Sequence, residues 1–276
     1  MFIPYHQLIG AESEPAAWML CLHGVYGSGA NWRTFANRLV ALRPDWGVAL
    51  VDLRIHGRSR AAPPPHTMAT AAADLIRLTA QLAADDKPVR AVCGHSLGGK
   101  VALRYRLDAG DAPAQTWVID SSPSRQPGAF DQPDNTVVAV LRMLEHLPRV
   151  YESRKHFIDR VIEYGFPAAL AQWLAMNLDH GAGRYHLGLA LEAVRDLLAD
   201  YYDCDVWAAV ESPGDVRVVI AGASTAVGAG DRERFMASGA TTYTFAESGH
   251  WVHIEALGRL VEVVSAALPD DMPEFR

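Results

Sequence analysis

The sequence predicts an α/β fold: a mostly parallel central sheet flanked by helices and interrupted by an inserted helical lid. Three observations predict it. Short β-rich apolar runs alternate with longer amphipathic segments, the order that buries a parallel sheet between helical layers. Gly94-His95-Ser96-Leu97-Gly98 stands where one such run gives way to a helical pattern, a strand-to-helix turn that exposes its serine. Between about residues 123 and 214 the alternation stops, leaving helix-like periodicity without a convincing strand.

At the amino end, Phe2–Ile9 is expected to add an antiparallel edge strand. Ala17–Leu22 reads as the first buried strand, Trp32–Leu42 as a helix and Val48–Leu53 as the next strand. Pro63-Pro64-Pro65 marks a rigid loop before the helical pattern Thr67–Ala84. Val89–Cys93 is a short buried strand, Gly99–Asp108 the helix after the serine turn, and Thr116–Asp120 the following strand. In the interrupted region, Val140, Leu141, Leu144 and Leu147 fall on one helical stripe, and Leu187, Leu191, Val194 and Leu198 on another. Alternation resumes with strands Val216–Ala221 and Thr242–Phe245 and helices Asp231–Ala237 and Ile254–Leu268. Residues 1–122 and 214–268 are therefore expected to form the core, 123–213 a helical lid, and 269–276 a polar tail.

A chain of 276 residues, half of them hydrophobic, is long enough to bury a full core. Its net charge of −7 gives no electrostatic footprint for nucleic acid or an anionic membrane surface. Met1–His6 lacks a basic region followed by an apolar stretch, and no apolar run approaches membrane-spanning length, so a cytoplasmic protein without membrane insertion is expected. Cys21, Cys93 and Cys204 are widely spaced and odd in number, as reduced core residues are. No cysteine or histidine spacing forms a metal motif, so no metal and no cofactor is expected. Gly94–Lys100 also imitates the opening of a phosphate-binding loop, but Val101 stands where Ser or Thr would reach magnesium.

The serine turn is the centre of the chemistry. A chain that reverses direction between a strand end and a helix start needs almost no side chain two residues before and after the tip, and Gly94 and Gly98 supply that. Ser96 becomes the nucleophile, and the Leu97 N–H, free at the helix start, an oxyanion donor. His23-Gly24-Val25-Tyr26 follows the first buried strand, and the Val25 N–H is the second donor. Ser248-Gly249-His250-Trp251-Val252-His253 follows the last strand; His250 is the expected base, with His253 at the helix start facing elsewhere. The turn after the next-to-last strand, Gly222-Ala223-Ser224-Thr225, holds no carboxylate. Asp120, at the end of the strand after the elbow helix, is chosen as the acid over Asp231, and Ser224 is left to bridge or orient the pair. Trp173 and Met176, with Tyr26 and Trp251, are candidates for lining a substrate pocket, core packing being their other role.

Together these segments resemble the α/β-hydrolase superfamily from about Trp18 to Leu268. Val51-Asp52-Leu53-Arg54-Ile55-His56-Gly57-Arg58-Ser59, the Ser96 motif and Gly249–His253 look like the branch of small bacterial carboxylesterases and their mitochondrial abhydrolase relatives. The resemblance implies the α/β-hydrolase fold and serine-dependent hydrolysis of a small-molecule carboxylic ester or thioester through an acyl-enzyme. It also implies an acid after the sixth strand and a serine after the seventh, which Asp120 and Ser224 match, while Thr225 departs from the common superfamily aspartate. Asp52, His56 and Arg58 belong to a recurrent turn read as structural. Other chemistries share such a site: carbon–carbon hydrolysis, cofactor-free haloperoxidation and acyl transfer. A noncatalytic small-molecule receptor is the alternative from a different class.

Overall fold

The computed structural model describes residues 2–110 and 113–270; residues 271–276 of the expected tail lie outside them. In chain order the elements are β1 (His6–Ile9), β2 (Ala17–Leu22), α1 (Arg33–Leu42), β3 (Trp46–Val51), α2 (Met68–Ala84), β4 (Val89–His95), α3 (Leu97–Asp108) and β5 (Gln115–Ile119). An inserted segment follows: α4 (Thr136–His146), β6 (Val150–Tyr151), α5 (Arg154–Glu163), α6 (Ala168–Leu174), β7 (Leu178–Gly181), β8 (Arg184–Leu187), α7 (Leu191–Asp203) and α8 (Trp207–Glu211). The chain then completes the sheet with β9 (Asp215–Ala221), α9 (Ala229–Ala237), β10 (Thr241–Phe245), α10 (Val252–Glu255) and α11 (Leu257–Ala267).

The sheet has the order β1-β3-β2-β4-β5-β9-β10. β1 runs antiparallel at the β3 edge, with His6 opposite Val51, and the other neighbours are parallel. Every residue of β2, β3 and β5 is buried, because helices cover both faces of a parallel sheet. On one face Trp32, Trp46 and Trp117 pack with α1 and α11. On the other, Leu75 and Leu78 of α2 and Val101 of α3 join one continuous cluster with Leu141, Leu144 and Val194 of the inserted segment. α3 is buried nearly all round, which matches its position between the sheet and its neighbouring helices and explains its weak amphipathic pattern.

The inserted segment is not wholly helical. β6, β8 and β7 form an antiparallel three-stranded sheet, with Leu178 opposite Leu187. The β7–β8 hairpin turns on Ala182 and Gly183, both at positive φ, as a two-residue hairpin loop of the primed type requires. Only Leu178 and Leu187 of its eight strand residues are buried, so the pair carries neither an apolar run nor an alternating face. Elsewhere Thr67 proves to be the cap of α2, its hydroxyl accepting from the Thr70 N–H at 3.1 Å. The final helical pattern is broken at Ala256 into α10 and α11.

Candidate active site

The order of strand addition reverses at β2: β3 lies to one side of it and β4, next in sequence after β3, to the other. Parallel sheets leave a crevice beyond the carboxyl ends of their strands at such a switch point. Leu22 is level with Gly94, and His95 with Ile119. One or two residues further on, Gly24, Ser96 and Asp120 therefore emerge side by side from β2, β4 and β5. A Cβ added to Gly24 would stand 3.4 Å from the Ser96 Cβ.

Ser96 has φ 53° and ψ −119°, a conformation that costs a non-glycine residue on the order of 1–3 kcal/mol. Close packing of the turn holds it there. A Cβ on Gly94 would lie 2.1 Å from the Gly98 oxygen, and one on Gly98 would lie 2.6 Å from the Leu22 oxygen. Both contacts are far inside van der Waals range, so strand and helix approach through glycine at these positions. The Ser96 N–H donates to the Ile119 carbonyl at 3.0 Å, and its side chain is only partly buried.

The Gly24–Gly27 turn is held by His23. The Leu53 N–H donates to His23 Nε2 (3.0 Å), so Nδ1 carries the proton and donates to the Gly24 carbonyl (2.7 Å). Burial pushes the His23 imidazole down to about 4, keeping it neutral. The Gly24 carbonyl also accepts from the Gly27 N–H at 3.1 Å. Because a trans peptide sets C=O and N–H in opposite directions, fixing the Gly24 carbonyl toward His23 turns the Val25 N–H away from it. Among the described residues, the Val25 and Leu97 N–H groups have no protein acceptor.

His250 Nδ1 donates to Asp120 Oδ2 at 2.7 Å, which leaves Nε2 with its lone pair. Asp120 is fully buried, and its Oδ1 accepts from the Ala221 N–H at 3.1 Å. The loop bearing His250 is fixed from two directions. His95 Nε2 donates to the His250 carbonyl at 2.8 Å, and Glu255 Oε2 accepts from the Gly249 N–H at 2.6 Å. Burial among His253 and His250 drives the His95 imidazole well below its ordinary value, so it acts as a neutral donor. His253 points elsewhere, stacked on Trp32 at 5.0 Å between ring centroids.

Asp231 is engaged away from the histidine: it accepts from the Ser122 hydroxyl and, at 2.6 Å, from the Ser124 hydroxyl. Ser224 does not bridge Asp120 and His250. Its Oγ accepts from the Ala226 N–H at 3.1 Å, within its own loop, and the Ala221 N–H supplies the second contact on Asp120. Trp173 reaches Trp251, 6.2 Å between centroids. Met176 is 47 % exposed, on the turn that buries Ala175 and Asn177. Tyr26 is buried and its hydroxyl donates to the Val137 carbonyl at 2.9 Å. The sequence reading missed His95, Glu255 and Asn177 as partners of the site, because each acts through a hydrogen bond to a loop backbone that no periodicity reports.

Asp52 and its turn are structural, as expected: Oδ1 accepts from Gly29 N–H (2.7 Å) and Oδ2 from Arg58 N–H (2.8 Å). Among the described residues no His, Cys, Asp and Glu group could hold a metal ion, and no helix is long and apolar enough to cross a membrane.

A parallel sheet with a serine turn, a histidine loop and a carboxylate at its carboxyl edge is the architecture of a large family of enzymes. Residues 19–263 match the family described as "Alpha/beta hydrolase family", and the chain belongs to it. Among curated relatives it is similar to the sn-1-specific diacylglycerol lipase ABHD11 of Mus musculus, 29% identical over 272 residues, spanning 96% of this chain and 85% of that one. A shorter likeness, 37% identity over 99 residues and 36% of each chain, links it to 2-succinyl-6-hydroxy-2,4-cyclohexadiene-1-carboxylate synthase of Pectobacterium atrosepticum. Among solved structures, one titled "Marine microorganism esterase" superposes with a TM-score of 0.81 over 97% of this chain and 100% of that one; at 19% identity this is a likeness of fold.

Proposed function

We propose that this protein is a serine hydrolase of carboxylic esters or thioesters that works through an acyl-enzyme. The observation that carries the reading is the 2.7 Å bond from His250 Nδ1 to buried Asp120 beside a serine held at positive φ. Ser96 Oγ attacks the substrate carbonyl while His250 Nε2 takes its proton, and the Val25 and Leu97 N–H groups stabilise the oxyanion. Collapse expels the alcohol or thiol, protonated by His250. Water then attacks the acyl group, giving its proton to His250, and the second collapse releases the acid and returns the proton to Ser96. Asp120 fixes the imidazole tautomer and balances the imidazolium. The ester class is supported by the lipase activity of the similar mouse protein. The inserted segment acts as a lid, bringing Trp173 against Trp251.

Wild type and Ser96→Ala, both checked for folding, are to be compared on short- and medium-chain p-nitrophenyl esters and with a fluorophosphonate label. Hydrolysis and labelling are expected in wild type and neither in the variant. A folded wild type that does neither would sink the reading.

A further inference from the structure

Tyr26 directly follows the residue whose N–H serves as an oxyanion donor, and it has φ 63°. A bulky residue keeps that conformation only when its surroundings hold it. In this turn the hold comes from the inserted segment. Asn177 Nδ2 donates to the Tyr26 carbonyl at 2.8 Å and to the Leu174 carbonyl at 3.2 Å. Asn177 is buried, and its own carbonyl accepts from the Gly188 N–H at 2.9 Å. The far end of Tyr26 is tied to the same segment through Val137. His23 grips the Gly24 carbonyl from the sheet side, so the residues flanking Val25 are held from opposite directions.

We infer that Asn177 is a positioning residue for the oxyanion turn, aiming the Val25 N–H by fixing the Tyr26 carbonyl from the inserted segment; this rests on the acyl-enzyme reading above. Without the Asn177 donor, Tyr26 relaxes toward negative φ. The Val25–Tyr26 peptide then rotates, and Val25 leaves the turn that the Gly27 N–H closes on Gly24. Asn177 never touches substrate, so its removal weakens transition-state stabilisation and leaves ground-state binding in place.

Replacing an ester carbonyl oxygen by sulfur probes this, because N–H donors aimed at an oxyanion discriminate between oxygen and the larger, weaker acceptor. Wild type, Asn177→Asp and Asn177→Leu are compared on a p-nitrophenyl ester and its matched thionoester, with near-UV circular dichroism as the folding check. Asn177→Asp keeps the shape and removes the donor; Asn177→Leu avoids a buried charge, should the aspartate variant fail to fold. Complete loss of one oxyanion donor costs on the order of 10²–10³ in kcat. For a misaimed donor the expected loss is about tenfold in kcat on the ester, with KM within about twofold and the ester-over-thionoester preference reduced by a similar factor. A folded variant with wild-type kcat and preference overturns the inference, and so does one that slows equally on both substrates, the mark of a merely structural role. A wild type that neither hydrolyses the ester nor takes the fluorophosphonate overturns the acyl-enzyme reading itself, and the inference with it.

Discussion

Asp120 and Asp231 both approach the carboxyl edge of the sheet, and their partners separate them. Asp120 holds the His250 ring and accepts from the Ala221 N–H, while Asp231 ties Ser122 and Ser124 to α9. Asp120→Asn is expected to leave a folded protein whose kcat falls on the order of 10³–10⁴-fold, because an amide can present a donor to Nδ1 and so favour the wrong tautomer. Turnover near wild type in that variant would move the acid elsewhere. Asp231→Ala is expected to do the reverse, keeping kcat within a few-fold and losing about 1–3 kcal/mol of stability as two hydroxyls lose their acceptor; a denaturant titration beside the kinetic assay checks both. That Asp120 meets His250 is legible in the sequence because its strand and turn are. That Ser224 turns into its own loop was not, since a serine's hydroxyl partner depends on backbone direction over a few residues that no periodicity reports.

The elements that place Ser96 were readable where burial is continuous or amphipathic: β2, β3, β4 and α2 stand within a few residues of their expected bounds. The β7–β8 hairpin was not, because its stability comes from pairing and two positive-φ turn residues rather than from an apolar face. Between these extremes stands Lys100 of α3, fully buried, whose ammonium donates to the carbonyls of Ser124 (2.8 Å), Tyr201 (2.9 Å) and Cys204 (3.1 Å). Burial pushes it down to about 8, so at neutral pH it is mainly the ammonium whose three protons these acceptors need. Lys100→Met keeps the stem and abandons three carbonyls. The expected cost is at least about 2 kcal/mol, with faster limited proteolysis inside residues 124–204 than in the sheet. Cleavage at the wild-type rate would show that apolar packing alone secures that segment.

For the whole molecule, four buried histidines set the response to acid. Burial lowers His23 and His253 to about 4, His56 to about 3 and His95 well below its usual value. Unfolded, each takes up its proton near pH 6.5. Below that pH the unfolded chain binds protons that the folded one excludes, so the stability present above pH 6.5 is lost as pH falls through about 4. Each such histidine makes stability fall with pH within its window. Urea midpoints measured from pH 7 to pH 4.5 should fall steadily, and a flat series would mean that these rings accept protons while folded. The meeting of Ser124, Tyr201 and Cys204 on one lysine has a further consequence for engineering. The inserted segment departs from and returns to nearly the same point, so its two junctions can be cut and rejoined without altering the spacing of the strands beneath. Exchange between homologues then becomes a cassette problem: a donor segment needs carbonyls that meet the recipient's ammonium and an apolar underside that fits α2 and α3, and the catalytic framework can be kept while substrate preference is varied.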